Sequence, residues 1–140
     1  MHLDELSVQL RLFNSAFHKA LRKEMAEASS YSMTEMETLF HIFKTGKTLP
    51  TDLATITRIS TPSMSQILKK MEADGIIKRI PAEDDKRKVH VSLTTSGKEL
   101  VENLRDSKDE YLKKLIPEKL SAKEIALLKN AIPVLNKLIS

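Results

Sequence analysis

The chain has no cysteine and no tryptophan, only three glycines among 140 residues, and aromatics at 4%. Without cysteine there are no disulfides, no thiolate metal sites and no peroxide sensing through a thiol. Three glycines leave no room for a glycine-rich phosphate loop, and no G-x-S-x-G nucleophile elbow occurs. No stretch approaches the roughly 18 consecutive apolar residues of a bilayer span. Met1 to Glu5 lacks the basic-then-apolar order of a signal peptide, so the expected location is cytoplasmic, with no membrane partner. The histidines, His2, His18, His41 and His90, never recur at i+3 or i+4, and a metal site or other cofactor is not expected. Glu35 with Glu37 and Asp109 with Glu110 read as solvated helix surface rather than paired acid and base. An enzyme is not expected.

What is present is charge in one place. The overall net charge is +4, but Lys44 to Lys98 hold eleven Lys and Arg against six Asp and Glu, a net +5, which leaves −1 for the remainder. A basic middle flanked by near-neutral ends is the footprint that a phosphate backbone requires. The length suits one domain over residues 1–140.

Hydrophobic spacing predicts about six helices. The first runs from Leu3 to about Ala28, with Leu6, Leu10, Phe13, Phe17 and Leu21 down one side. Ser32-Met33-Thr34-Glu35 is a capping box that opens a second helix carrying Met36, Leu39, Phe40 and Phe43 to a stop at Gly46. Leu53, Ala54 and Ile56 fit a brief third. Arg58-Ile59-Ser60 turn into a fourth, for which Thr61 is the expected N-cap and Pro62 the first helical residue. Met64, Ile67, Leu68 and Met71 give that helix its apolar face. A fifth helix is expected from Thr94 or Thr95 to about Leu115, stopped by Pro117. Ser121-Ala122-Lys123-Glu124 caps a sixth, in which Pro133 predicts a kink near residues 129–132.

Between the fourth and fifth helices the period changes. Ile76 to Ile80 forms one strand, and Val89, Val91 and Leu93 alternate with His90 and Ser92 in a second. Pro81 to Lys88 is too long for a two-residue turn and projects as a charged loop. The expected fold class is therefore mainly α with a small antiparallel β-hairpin wing, a winged helix-turn-helix over residues 32–97. Residues 95–115 form a connecting helix, and residues 1–30 and 115–140 are left to bury one another's apolar stripes, between subunits.

Asp85, Arg87, Leu93, Thr94 and Gly97 spell D-x-R-x5-L-T-x2-G, and with the helix-strand-loop-strand order around them the chain resembles the MarR family of bacterial transcription regulators. The resemblance implies a homodimer whose first, fifth and sixth helices interleave, and which binds a pseudo-palindromic operator on double-stranded DNA, as a repressor released by a small-molecule effector. It further implies that Arg87 reaches the minor groove and that Asp85 orients it. Lys86 stands where many relatives carry a second arginine, a departure that implies weaker groove reading or a shift to a phosphate contact.

The residues expected at DNA are Arg58, Ser60, Thr61, Ser63, Ser65, Gln66, Lys69 and Lys70 around the fourth helix and Asp85, Lys86, Arg87 and Lys88 in the wing. Glutamine pairs bidentately with adenine, serine reaches phosphates or base edges, and lysine meets guanine or the backbone. An isolated helix with this face would be an ordinary solvated surface; its place before a wing favours the groove. By resemblance, Phe13, Phe17, Met33, Met36, Phe40 and His41 line a cleft for a small aromatic or amphipathic effector, with core packing the alternative role for each. The rival function is a winged-helix protein–protein interaction module, in which the basic face meets an acidic partner.

Overall fold

The computed structural model describes residues 1–85 and 87–140, so Lys86, expected at the DNA, lies outside the described residues. Its elements in chain order are α1 (Leu3–Ala28), α2 (Met33–Thr45), β1 (Lys47–Thr48), α3 (Pro50–Thr57), α4 (Thr61–Ala73), β2 (Ile77–Pro81), β3 (Val89–Leu93), α5 (Thr95–Lys119) and α6 (Ala122–Asn136). This is the winged helix-turn-helix expected from the sequence, with six helices. Among the described residues, no helix is long and apolar enough to cross a membrane.

Local chemistry sets most of the boundaries. Both capping boxes form: the Ser32 hydroxyl accepts the Glu35 amide at 3.1 Å while Glu35 accepts the Ser32 amide at 3.0 Å, and Ser121 and Glu124 repeat the exchange. Each satisfies two backbone groups that a helix start otherwise leaves to water. Gly46 ends α2 at φ +84°, where a side chain would be strained.

Four expectations are corrected. The N-cap of α4 is Ser60, not Thr61. The Ser60 hydroxyl accepts the Ser63 amide at 3.2 Å, which places Thr61 and Pro62 in the first turn, where a missing amide costs nothing. The sheet has three strands in the order β1-β3-β2, all antiparallel, because Lys47 and Thr48 pair with Ser92 and Val91. The first hairpin strand is Ile77–Pro81, one residue later than expected, with Ile77 opposite Leu93 and Pro81 opposite Val89. Finally, α5 does not stop before Pro117 but continues to Lys119, and the Leu120 amide closes the last turn on the Ile116 carbonyl at 2.9 Å. Proline in a final turn removes one ladder bond, and the apolar residues Leu115, Ile116 and Leu120 hold that turn against α1 and α6. The chain likewise stays helical through Pro133 to Asn136.

The core sits under the wing. Leu39, Ile42, Leu53, Met64, Leu68, Met71, Val91 and Val101 are fully buried, joining α2, α3, α4, β3 and α5. Ile56, expected on the buried side of α3, is exposed; the core face of that helix is Leu53 and Ala54. A smaller cluster of Met25, Met36 and Leu104 fastens the end of α1 to α2 and α5. The L-T-x2-G part of the motif acts at the junction of sheet and α5. Leu93 is buried, and the Thr94 hydroxyl donates to the Gly75 carbonyl at 2.6 Å and accepts the Gly97 amide at 3.1 Å. A Cβ on residue 97 would overlap the carbonyl of Ile76, so only glycine fits there.

Candidate nucleic-acid interface

The helix-turn-helix corner is made without glycine. Arg58 takes the left-handed conformation at φ +59°, and its amide reaches back to the Thr55 carbonyl at 3.3 Å while Ile59 bonds Ala54 at 3.1 Å. Left-handed backbone costs a residue with a Cβ roughly 1–2 kcal/mol. The corner thereby turns α3 into α4 with the Arg58 side chain exposed.

On α4, Met64, Leu68 and Met71 are fully buried, and Pro62, Ser65, Gln66 and Lys69 are exposed. The helical period puts these four residues on the side away from the core, as one outward face of hydroxyl, amide and ammonium groups. Ser60 and Ser63 belong to the rim of this surface, but their hydroxyls already bond each other at 2.8 Å.

Lys70 departs from that face. Its Nζ lies 2.8 Å from Glu35 Oε2 and 5.2 Å from the centre of the Tyr31 ring. Burial works to raise the Glu35 carboxyl, but bonds from Lys70 and from the amide and hydroxyl of Ser32 outweigh it and hold the group below its ordinary value. Tyr31 donates to Asp74 Oδ2 at 2.8 Å. Burial, then the bond to Asp74, pushes the phenol up to about 12, so it stays a donor throughout the physiological range. None of these long-range partners has a sequence signature, and Tyr31, Glu35 and Asp74 were not among the expected site residues.

In the wing, Asp85 bonds both the amide and the guanidinium of Arg87. The hydrogen bonds from the Arg87 side chain, then from its amide, hold the Asp85 carboxyl below its ordinary range. Arg87 and Lys88 are exposed, and both border a surface hollow with Leu49, Pro50 and Thr51 at the start of α3. The base of the wing is thus brought beside the helix-turn-helix.

The six residues expected around an effector do not converge. Met33, Met36, Phe40 and His41 border a cleft of about 460 Å³ between α1, α2 and α5, together with His18, Arg22 and Lys108. Phe13 and Phe17 instead stack on each other with ring centres 5.2 Å apart and line a separate apolar groove of about 620 Å³ against α5 and α6. The two sets lie on successive parts of one 26-residue helix, and periodicity reports a helix face without saying which neighbour covers each part of it. The cleft combines an apolar floor with cations. Lys108 Nζ stands 4.8 Å from the Phe40 ring centre. Desolvation lowers its pKa, Asp109 acts the other way, and Arg105 and Arg22 add to the lowering. Arg22 is paired with Glu37 at 2.7 Å. Among the described residues, no group of three or more His, Asp or Glu is placed to hold a metal ion.

Comparison with known proteins gives a consistent picture. The model of the MarR family matches residues 31–89. An uncharacterized HTH-type transcriptional regulator of Mycobacterium leprae is 30% identical over 111 residues, covering 79% of this chain and 77% of that protein. Other curated relatives are matched over 59–62% of their own length, so this chain spans about three fifths of them. Wild-type MarR from E. coli has the same fold with a TM-score of 0.74 at 21% identity, over 100% of this chain and 98% of that one. A mutant of S. aureus MepR, solved bound to an oligodeoxyribonucleotide, gives a TM-score of 0.68 at 21% identity, over 96% of this chain and 98% of its own.

Proposed function

This chain belongs to the MarR family, and on that premise we propose that it is a DNA-binding transcription regulator that works as a homodimer, not an enzyme. The observation that carries this reading is the outward face of α4, where Ser65, Gln66 and Lys69 stand free of the core beside an exposed wing arginine. That is the equipment for reading a major groove with a helix and an adjacent minor groove with an arm. A structural neighbour solved on DNA supports it at the level of fold.

The dimer reading rests on the ends of the chain. α6 has no buried residue, and Leu3, Leu6, Phe13, Phe17, Leu128, Ile132 and Leu138 are all exposed large hydrophobics. An apolar surface that continuous is rare on a soluble monomer. A second copy covers it symmetrically and sets two recognition helices on one side, to enter half-sites roughly 34–36 Å apart. Occupying such a site blocks transcription, which makes repression the favoured direction. The cleft of Met33, Met36 and Phe40, edged by Lys108, Lys44 and His18, suits an amphipathic anion as the releasing effector.

The test is selection of duplexes by the purified protein from a random-sequence pool, followed by titration with salt. A regulator enriches an inverted repeat and loses affinity steeply as salt rises. Enrichment of nothing refutes the reading, and capture of an acidic protein without DNA affinity favours the interaction module. Against that module, the α4 face offers no exposed aromatic side chain of the kind that anchors protein interfaces.

A further inference from the structure

The α4 face that meets DNA leaves two side chains at its far end unaccounted for, and both point back to the corner between α1 and α2. Lys70 Nζ holds Glu35 Oε2 at 2.8 Å, and the other oxygen of the same carboxylate accepts the Ser32 amide at 3.0 Å. One carboxylate therefore caps α2 and grips α4 together, and the residue that carries it is only 8% exposed. One turn further on, Asp74 Oδ2 takes the Tyr31 hydroxyl at 2.8 Å, and the Tyr31 ring lies under the Lys70 ammonium. Two residues from the corner and two from the end of α4 close a ring.

The rest of α4 is held by Met64, Leu68 and Met71. Apolar contact is non-directional, so it sets how deep the helix sits better than how it is rotated. Hydrogen bonds weaken steeply off line, and two of them at one end of a helix fix both its rotation and its tilt. A site that reads base edges needs its supports held within about 0.5 Å and 10–20°. A lysine committed to a nearly buried carboxylate is also poorly placed to neutralise a phosphate.

We propose that Tyr31, Glu35, Lys70 and Asp74 are positioning residues of the DNA site, which touch no nucleic acid and fix the angle at which α4 presents Ser65, Gln66 and Lys69. The inference rests on the DNA-binding reading above.

The test uses the duplex that the wild-type protein enriches from a random-sequence pool, and failure to enrich any duplex overturns the DNA-binding reading rather than the tie. Affinity is then measured against salt for Glu35→Gln, Lys70→Met and Tyr31→Phe, well below each variant's melting temperature. Glutamine still accepts the Ser32 amide and keeps the cap, and phenylalanine keeps the ring. Positioning predicts that all three weaken the selected duplex by about threefold to thirtyfold, lose less on a scrambled duplex, and keep the wild-type salt slope. A phosphate contact by Lys70 predicts the opposite pattern. Lys70→Met then lowers the slope by about 0.9, and Glu35→Gln tightens binding because it frees the ammonium. That pattern, or unchanged affinity in all three folded variants, overturns the proposal.

Discussion

Asp85 holds Arg87 at three points: Oδ1 accepts the Arg87 amide at 3.0 Å and Nε at 3.2 Å, and Oδ2 lies 3.4 Å from Nη2. The arginine side chain is nevertheless 92% exposed. Exposed ion pairs add little to stability, so the pair is understood better as a device for pre-setting the guanidinium than as a brace for the wing.

Two variants separate those roles. Arg87→Ala should leave thermal stability within about 0.5 kcal/mol of wild type and weaken every duplex, most where an A·T-rich minor groove flanks the half-site. Asp85→Ala removes a negative charge from the DNA side, so charge alone predicts tighter binding; loss of the pre-set guanidinium predicts weaker binding. Equilibrium titration of both variants at fixed salt reads the sign.

Arg58 is the one non-glycine residue with positive φ among the described residues. Arg58→Gly should relieve the left-handed strain and raise the melting temperature, while weakening DNA binding and reducing the salt slope if the guanidinium meets a phosphate. A glycine variant that is both more stable and fully competent on DNA would show that this arginine serves only the turn.

Acid should undo the Glu35 tie. The carboxyl titrates below its ordinary value of 4.5 in the folded chain, so its contribution to stability is present above that value and is lost as pH falls through the lowered one. The melting-temperature difference between wild type and Glu35→Gln should be largest near neutrality and shrink below about pH 4.5. A constant difference down to strongly acid pH would mean that the carboxylate charge is not what stabilises the corner.

The parts of the fold that were legible in the sequence are those that neighbouring residues decide. Ser32 with Glu35 and Ser121 with Glu124 are three apart and close their caps alone, and α1 runs from Leu3 to Ala28 as its periodicity predicts. What was hidden depends on partners far along the chain. β1 is two residues whose only signal is their pairing with Val91 and Ser92. Pro117 sits inside α5 because α1 and α6 cover that turn. Lys70 looks like one more cation on a DNA-facing helix until its partner, 35 residues earlier, is in place. Phe13 and Phe17 share a helix with His18 but face a different groove.

That groove yields a prediction for assembly. Phe17→Asp and Leu128→Glu place charges in a surface lined by Leu112, Leu115 and Ile132, and an unpaired charge in an apolar interface is costly. Each should convert a dimer to a monomer in sedimentation velocity while leaving the winged core folded, since neither residue belongs to it. DNA affinity should fall with dimerisation, because one recognition helix then engages one half-site. A wild-type chain that sediments as a monomer at micromolar concentration would remove the basis of this assignment.

Gln66 provides the most direct test of sequence reading by α4. It is exposed on the outward face, between Ser65 and the partly buried Ile67, and one turn before Lys69 and Lys70. It carries no charge, so its removal changes no counterion balance. If its amide pairs with a base edge, Gln66→Ala should cost roughly 1–3 kcal/mol at a single operator position, relax preference there, and leave the salt slope unchanged. Lys69→Ala differs in kind: as a phosphate contact it should weaken all sequences alike and lower the slope by about 0.9. Titrating both variants against every single-base change in the selected duplex, at fixed salt, separates the two. A uniform loss for Gln66→Ala would make it a backbone contact and would move base reading to Ser65 or to the shape sensed by Arg87.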